Sequence, residues 1–271
     1  MGKPVKEFHK YICDATNAHT SLEEYLDSPA TAFLKYTIEA KDSIKMCLRK
    51  FPKNRNGTYR KDSLDSIQHL TVAVLPAIMG HFETYQRILF AGMFDFSVFL
   101  EKFKVESFLK KLDSNANVSI DIKRLAAYRN IGTTSIGSVL ADCLSGWHSP
   151  EKVNSYFDAF GLENQLFSGK DVKRLKILWQ LRHSIVHTGG TLTLPDAQKV
   201  DELKIFGGNT LAFGDSFIFE VARKMHPMIK DATKRMGTKY MARLIPNTTS
   251  DDRIKIDKLF EVKSSMNVWL T

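Results

Sequence analysis

The chain has 271 residues, 43% of them hydrophobic and 25% charged, which places it in the globular range with length for one large domain or two small ones. Its three cysteines, Cys13, Cys47 and Cys143, are too few and too scattered for a disulfide framework or a CxxC metal knuckle, and a reducing cytosol suits them. Lysine plus arginine number 39 against 30 acids, and the net charge of +9 points toward a polyanionic partner.

The first twenty residues carry charges but no apolar run of signal-peptide type, and "MGKPVK" lacks the Ser or Thr that a myristoylation signal prefers. The longest apolar stretches, "LTVAVLPAIMG" and "LFAGMFDFSVFL", are too short for a membrane span. A soluble, unanchored, cytoplasmic protein is the expectation.

Helical spacing runs through most of the chain. Ser21 with Glu24 three residues on forms a capping-box pattern, and the segment it opens reads as two helices broken near Ser28 and Pro29. "PKNRNGTYRKD" is rich in turn residues and marks a boundary near residue 62, so residues 1–62 read as an N-terminal helical extension. Leu64, Ile67, Leu70, Val74, Ile78, Phe82, Tyr85 and Leu89 then recur at steps of three and four, predicting a long buried helix bent or interrupted at Pro76 and Gly80. Shorter helices follow in "VFLEKFKVESFLKKL", "SIGSVLADCLSGW" and "SPEKVNSYFDAFG". Another spans "SGKDVKRLKILWQLRHSIVH" and stops at Gly189 and Gly190. The one strand signal is "LKIFGGNTLAFG", two short apolar runs around a Gly-Gly-Asn turn, predicting a small hairpin. A further helix covers "DSFIFEVARKMHPMIKDATKRMG", and residues 246–271 read as a tail or docking segment. The expected fold class is all-α with one minor hairpin.

Positive charge concentrates in two places. Between Lys41 and Lys61 there are eight basic residues against Asp42 alone, and between Arg223 and Lys258 ten against four. Two such segments in one chain favour nucleic acid over mere solvation of helix faces.

Common catalytic and cofactor signatures are missing. There is no GxxxxGK[ST], no GxGxxG between strand and helix and no GxSxG. His183 and His187 lie four apart on one helical face, a spacing that suits zinc, but Ser184 stands where HExxH needs Glu and no third ligand is evident. No metal or cofactor is expected. Arg129 and Asn130 begin a similar pattern, but no histidine follows before His148.

What remains is Arg182, then "HSIV", then His187. A histidine can take a proton from a ribose 2'-hydroxyl or return one to a leaving oxygen. A guanidinium can grip a phosphate through two parallel hydrogen bonds and stabilise the charge that builds in the transition state. The same residues could equally be the cationic end of a helix, where they suit the macrodipole.

"LRHSIVHTGG" resembles the motif of the HEPN family, the higher eukaryote and prokaryote nucleotide-binding domains. That signature is an arginine, commonly followed by Asn, Asp or His, with a histidine a few positions on at the end of a long helix. Arg182, His183 and His187 match it in order. "GHFETYQRILF" is similar to an early helix of some HEPN groups, with Glu83 as its acid. The likeness covers about residues 63–245, although only the short motif is specific.

The resemblance implies a HEPN-like helical bundle that forms a homodimer through paired motif helices, with a metal-independent endoribonuclease site between protomers and a toxin or antiviral defence role. It implies proton transfer by His187, phosphate binding by Arg182 and a supporting part for His183; Glu83 either pairs with Arg182 across the bundle or is an ordinary exposed glutamate of an amphipathic helix. RNA and an antitoxin or regulatory protein are the expected partners. Members silenced by nucleotidyl transfer carry a tyrosine two residues past the histidine, where this chain has Gly189, so control by that modification is not expected. The alternative is a non-catalytic HEPN-like module that binds nucleic acid or a partner. A purely structural helical protein, with Arg182 capping a helix, is the third reading.

Overall fold

The computed structural model describes residues 20–116 and 135–264. Cys13, Arg129, Asn130 and the ends of the chain lie outside the described residues. The described residues are mostly helical, with no sheet among them. The described residues begin with the short α1 (Leu22–Asp27) and the 22-residue α2 (Pro29–Lys50). Ser21 caps α1 in a full capping box with Glu24, and Pro29 supplies the first residue of α2, so the break falls at Ser28 as the sequence predicts.

The central element is α3 (Lys61–Asp95), a single 35-residue helix. It passes through Pro76 and Gly80 without interruption, and neighbours on several sides, at Leu75, Ile78, Met79 and Phe82, hold it across the hydrogen bond that proline removes. Its buried line differs from the expected one in the first turns: Thr71 and Leu75 are buried, whereas Leu64 is 47% exposed and Val74 only partly covered.

Around α3 stand α4 (Val105–Ala116), α5 (Ile136–Cys143), α6 (Pro150–Asp158), α7 (Gly169–His187), the single turn α8 (Leu194–Ala197), α9 (Phe217–Met241) and α10 (Ser250–Leu259). Two aromatic clusters on α3 organise the core. Phe82 meets Phe33 of α2, Phe167 just before α7 and Trp179 within α7. Two turns on, Phe90 meets Phe108, Trp147, Phe157 and Phe160. Tyr25 and Phe33, from the segment read as an extension, belong to the same continuous core as the rest.

One expectation changes and another narrows. The predicted hairpin does not form: its first arm is a 3₁₀ turn (Asp201–Phe206), and its second arm pairs instead with the chain leaving α7. Leu192 N–H donates to the Asn209 carbonyl, Gly208 N–H to Leu192 and Leu211 N–H to Gly190, forming the antiparallel bridge Thr191 to Thr210. The "tail" is a docking segment through residue 260, because Ile256, Leu259 and Phe260 are buried. Gly92 and Gly237 admit it by close approach, since a methyl at either would fall within 2.7 Å of Leu259 or Phe260. No helix among the described residues is long and apolar enough to cross a membrane.

Candidate functional site

Helix α7 carries the motif. Ser168 caps its start by accepting from Asp171 N–H, and Leu175 and Trp179 anchor it in the core. Its end is closed by backbone geometry. Thr188 and Gly190 both donate N–H to the Ser184 carbonyl, at 3.2 and 3.0 Å, while Gly189 and Gly190 take φ of +61° and +84°. Those two left-handed residues turn the chain sharply enough for it to return beside the helix it has just left.

The return places Thr193 and Asp196 next to the histidines. Thr193 caps α8 and donates its hydroxyl to Asp196 Oδ2 at 3.0 Å. Lys199 Nζ donates to Asp196 Oδ1 at 2.7 Å, and His183 Nε2 lies 3.9 Å from Asp196 Oδ2. The hydrogen bond from Lys199 holds the Asp196 carboxyl below the usual carboxylate range, with Thr193 and the charges of Lys199 and His183 acting in the same direction. The rings of His183 and His187 stand 4.8 Å apart and tilted by 45°, with His187 exposed to solvent.

Thus His183 and His187 come together and acquire a carboxylate that was not anticipated. Asp196 sits nine positions beyond His187, and its signal in sequence was the Thr193 capping pattern after the double glycine. Arg182 occupies a different part of α7, because five helical steps leave it about 140° around the axis from His187. It is half-buried, and its Nε is shut away from solvent without a hydrogen-bond partner. Glu83 does not reach it. Its carboxylate pairs with Arg87, one turn along α3, and Arg87 also binds Asp142 at 3.0 Å. A local partner at i+4 outcompeted one across the bundle.

His183 also borders a cavity of about 380 Å³ with His148, Lys176, Trp179, Gln180 and Lys199. His148 therefore lies nearer the motif than its position in the chain suggests. His81 stacks on Tyr36 at 3.5 Å and contacts the Tyr25 hydroxyl, and buried His226 bonds Ser264, so both serve structure. No three His, Cys, Asp or Glu side chains among the described residues are grouped to hold a metal ion.

No family model, no curated protein and no solved structure matches the chain. The functional reading therefore stands on these side chains.

Proposed function

We propose that the protein is a metal-independent endoribonuclease of HEPN type, acting as a toxin or antiviral defence effector in the cytoplasm. The observation that carries this reading is the pair of imidazoles, His183 and His187, 4.8 Å apart at the open end of α7 with Asp196 beside one of them. Two histidines so placed provide a proton acceptor and a proton donor for one phosphodiester.

In the reaction, His187 takes the proton of a ribose 2'-hydroxyl as its oxygen attacks the adjacent phosphorus. The bond from phosphorus to the 5'-oxygen breaks, and a protonated histidine supplies that oxygen with its proton. The products are a 2',3'-cyclic phosphate and a 5'-hydroxyl. Asp196 orients His183, and the outer nitrogens of Arg182 stabilise the charge on the phosphoryl oxygens.

A homodimer completes the geometry, because a second copy brings its Arg182 to the first copy's His187. Exposed apolar side chains beside the motif, Val186, Leu194, Ile205 and Phe206, supply a face for it. A non-catalytic binding module is the second reading, favoured by the sequestered Nε of Arg182.

Incubation of labelled single-stranded RNA in EDTA with wild type, Arg182→Ala and His187→Ala tests the proposal. Cleavage by wild type is expected, reduced about 100-fold or more in each variant. Cleavage abolished by EDTA, or indifferent to both substitutions, refutes it. RNA binding without cleavage selects the second reading.

A further inference from the structure

The two basic segments have different fates in the fold. Between Arg223 and Lys258 half of the ten basic residues are held in ion pairs: Arg223 and Lys224 pair with Glu220, Arg243 with Glu163, Lys255 with Asp252 and Lys258 with Asp27. Residues 49–61 differ. Arg49, Lys50, Arg55, Arg60 and Lys61 are all exposed, and none has an ion-pair partner among the described residues. No acidic residue occurs from Lys45 to Lys61.

This segment is a built arm. Lys53 and Tyr59 form an antiparallel bridge, and Asn54 N–H donates to the Thr58 carbonyl at 2.7 Å. Gly57, with φ of +84°, turns the tip, and the Asn56 side chain accepts from Thr58. The Tyr59 hydroxyl bonds the Leu48 carbonyl at 3.1 Å, fastening the arm to α2, while Lys53 Nζ lies 4.7 Å over the tyrosine ring. An ordered scaffold displays these cations, so little ordering entropy remains to be lost when they meet a ligand.

The arm also lies at the motif end of the bundle. Phe82 touches Trp179, and α3 and α7 run antiparallel from there, because the chain leaving α7 pairs with residues 208–211 and Gln68, near the start of α3, bonds Phe213 N–H at 2.8 Å. At 1.5 Å rise per residue, Arg60 stands roughly 20 Å beyond His187 along the bundle axis. A few nucleotides of an extended strand span that interval.

We propose that residues 49–61 form a phosphate-backbone-binding surface for single-stranded RNA, holding the strand whose scissile phosphate sits at the histidine pair. RNA as the occupant rests on the proposed function; the surface itself rests on the unpaired cations and their placement. Backbone neutralisation by such an arm is indifferent to sequence and sensitive to salt.

The test uses a fluorescent 2'-O-methyl RNA 20-mer, which lacks the attacking hydroxyl, so binding is read apart from cleavage. Wild type is compared with Lys50→Gln/Arg55→Gln/Lys61→Gln and with a control of equal charge change, Lys110→Gln/Lys234→Gln/Lys239→Gln, all at exposed positions. The arm variant is expected to lose about tenfold or more in affinity and to lower the slope of log K against log salt by about 2, at roughly 0.7 per phosphate contact. Arg55→Gln alone, at the tip, shifts both in the same direction by a smaller amount. Equal effects from arm and control variants, or none from the arm, overturn the proposal. So does loss of binding to phosphatidylserine vesicles with RNA affinity unchanged, which would make the arm a membrane contact. Arm-dependent binding by a protein that never cleaves RNA leaves this inference standing and removes the ribonuclease reading.

Discussion

Gly190→Ala isolates the backbone feature that closes the motif helix. Gly190 has φ of +84°, and a methyl added there meets nothing within 4 Å, so its cost is purely conformational. An L-residue in the left-handed region loses about 1–2 kcal/mol. Restricting the unfolded chain returns about 0.4–1 kcal/mol. The net is a destabilisation of up to about 1.6 kcal/mol, and at about 2–4 °C per kcal/mol for a chain of this size Tm falls by up to about 6 °C. Gly80→Ala is the matched control. Gly80 is exposed, lies inside α3 with ordinary helical backbone and has equally open surroundings, so alanine there adds about 0.5–1 kcal/mol of stability. Urea unfolding followed by circular dichroism reads both. If Gly190→Ala is as favourable as Gly80→Ala, α7 does not end in the left-handed turn that brings Asp196 to His183.

Two further outcomes follow from burial. Burial, aided by the Lys230 charge, holds the His226 imidazole below the ordinary histidine value near 6.5, so the unfolded chain takes up the proton first. Its contribution to stability is complete above that value and is lost as pH falls from there through the lower folded value. Urea midpoints measured from pH 8 to 5 should decline for wild type, with that component missing in His226→Gln; parallel curves refute the assignment. Leu259→Ala empties a site that is only 3% exposed and should cost about 2–5 kcal/mol by urea unfolding, whereas a loss below 1 kcal/mol means that α10 does not pack on α3.

Helix identity was readable because periodicity and end signals agreed. Ser21, Pro29, Ser168 and the double glycine after His187 each mark a real terminus, since capping is settled within a few residues. The fate of "LKIF" was not readable. Its amide groups faced a choice between a local turn and a segment near Gly190, and only the folded path of α7 settles that. Asp196 was hidden for the same reason, because its meeting with His183 depends on two positive φ angles rather than on spacing. Glu83 shows the converse: Arg87 stood one turn away in plain sequence and took the pair expected for Arg182. The arrangement of the motif residues, with the histidines together and the arginine aside, was already implicit in 100° per residue.

The Ser28 hydroxyl donates to the Glu261 carbonyl at 2.9 Å, and Lys258 reaches Asp27, so the core is sealed by contacts between positions more than 200 apart in the chain. Closures of such sequence separation are slow to find. During synthesis α1 through α9 emerge before α10 exists, and until it docks, the faces of α3 and α9 at Gly92 and Gly237 remain uncovered. A polypeptide that has made α1 through α9 but not α10 thus keeps those two faces open, and chaperone protection is most valuable over that interval.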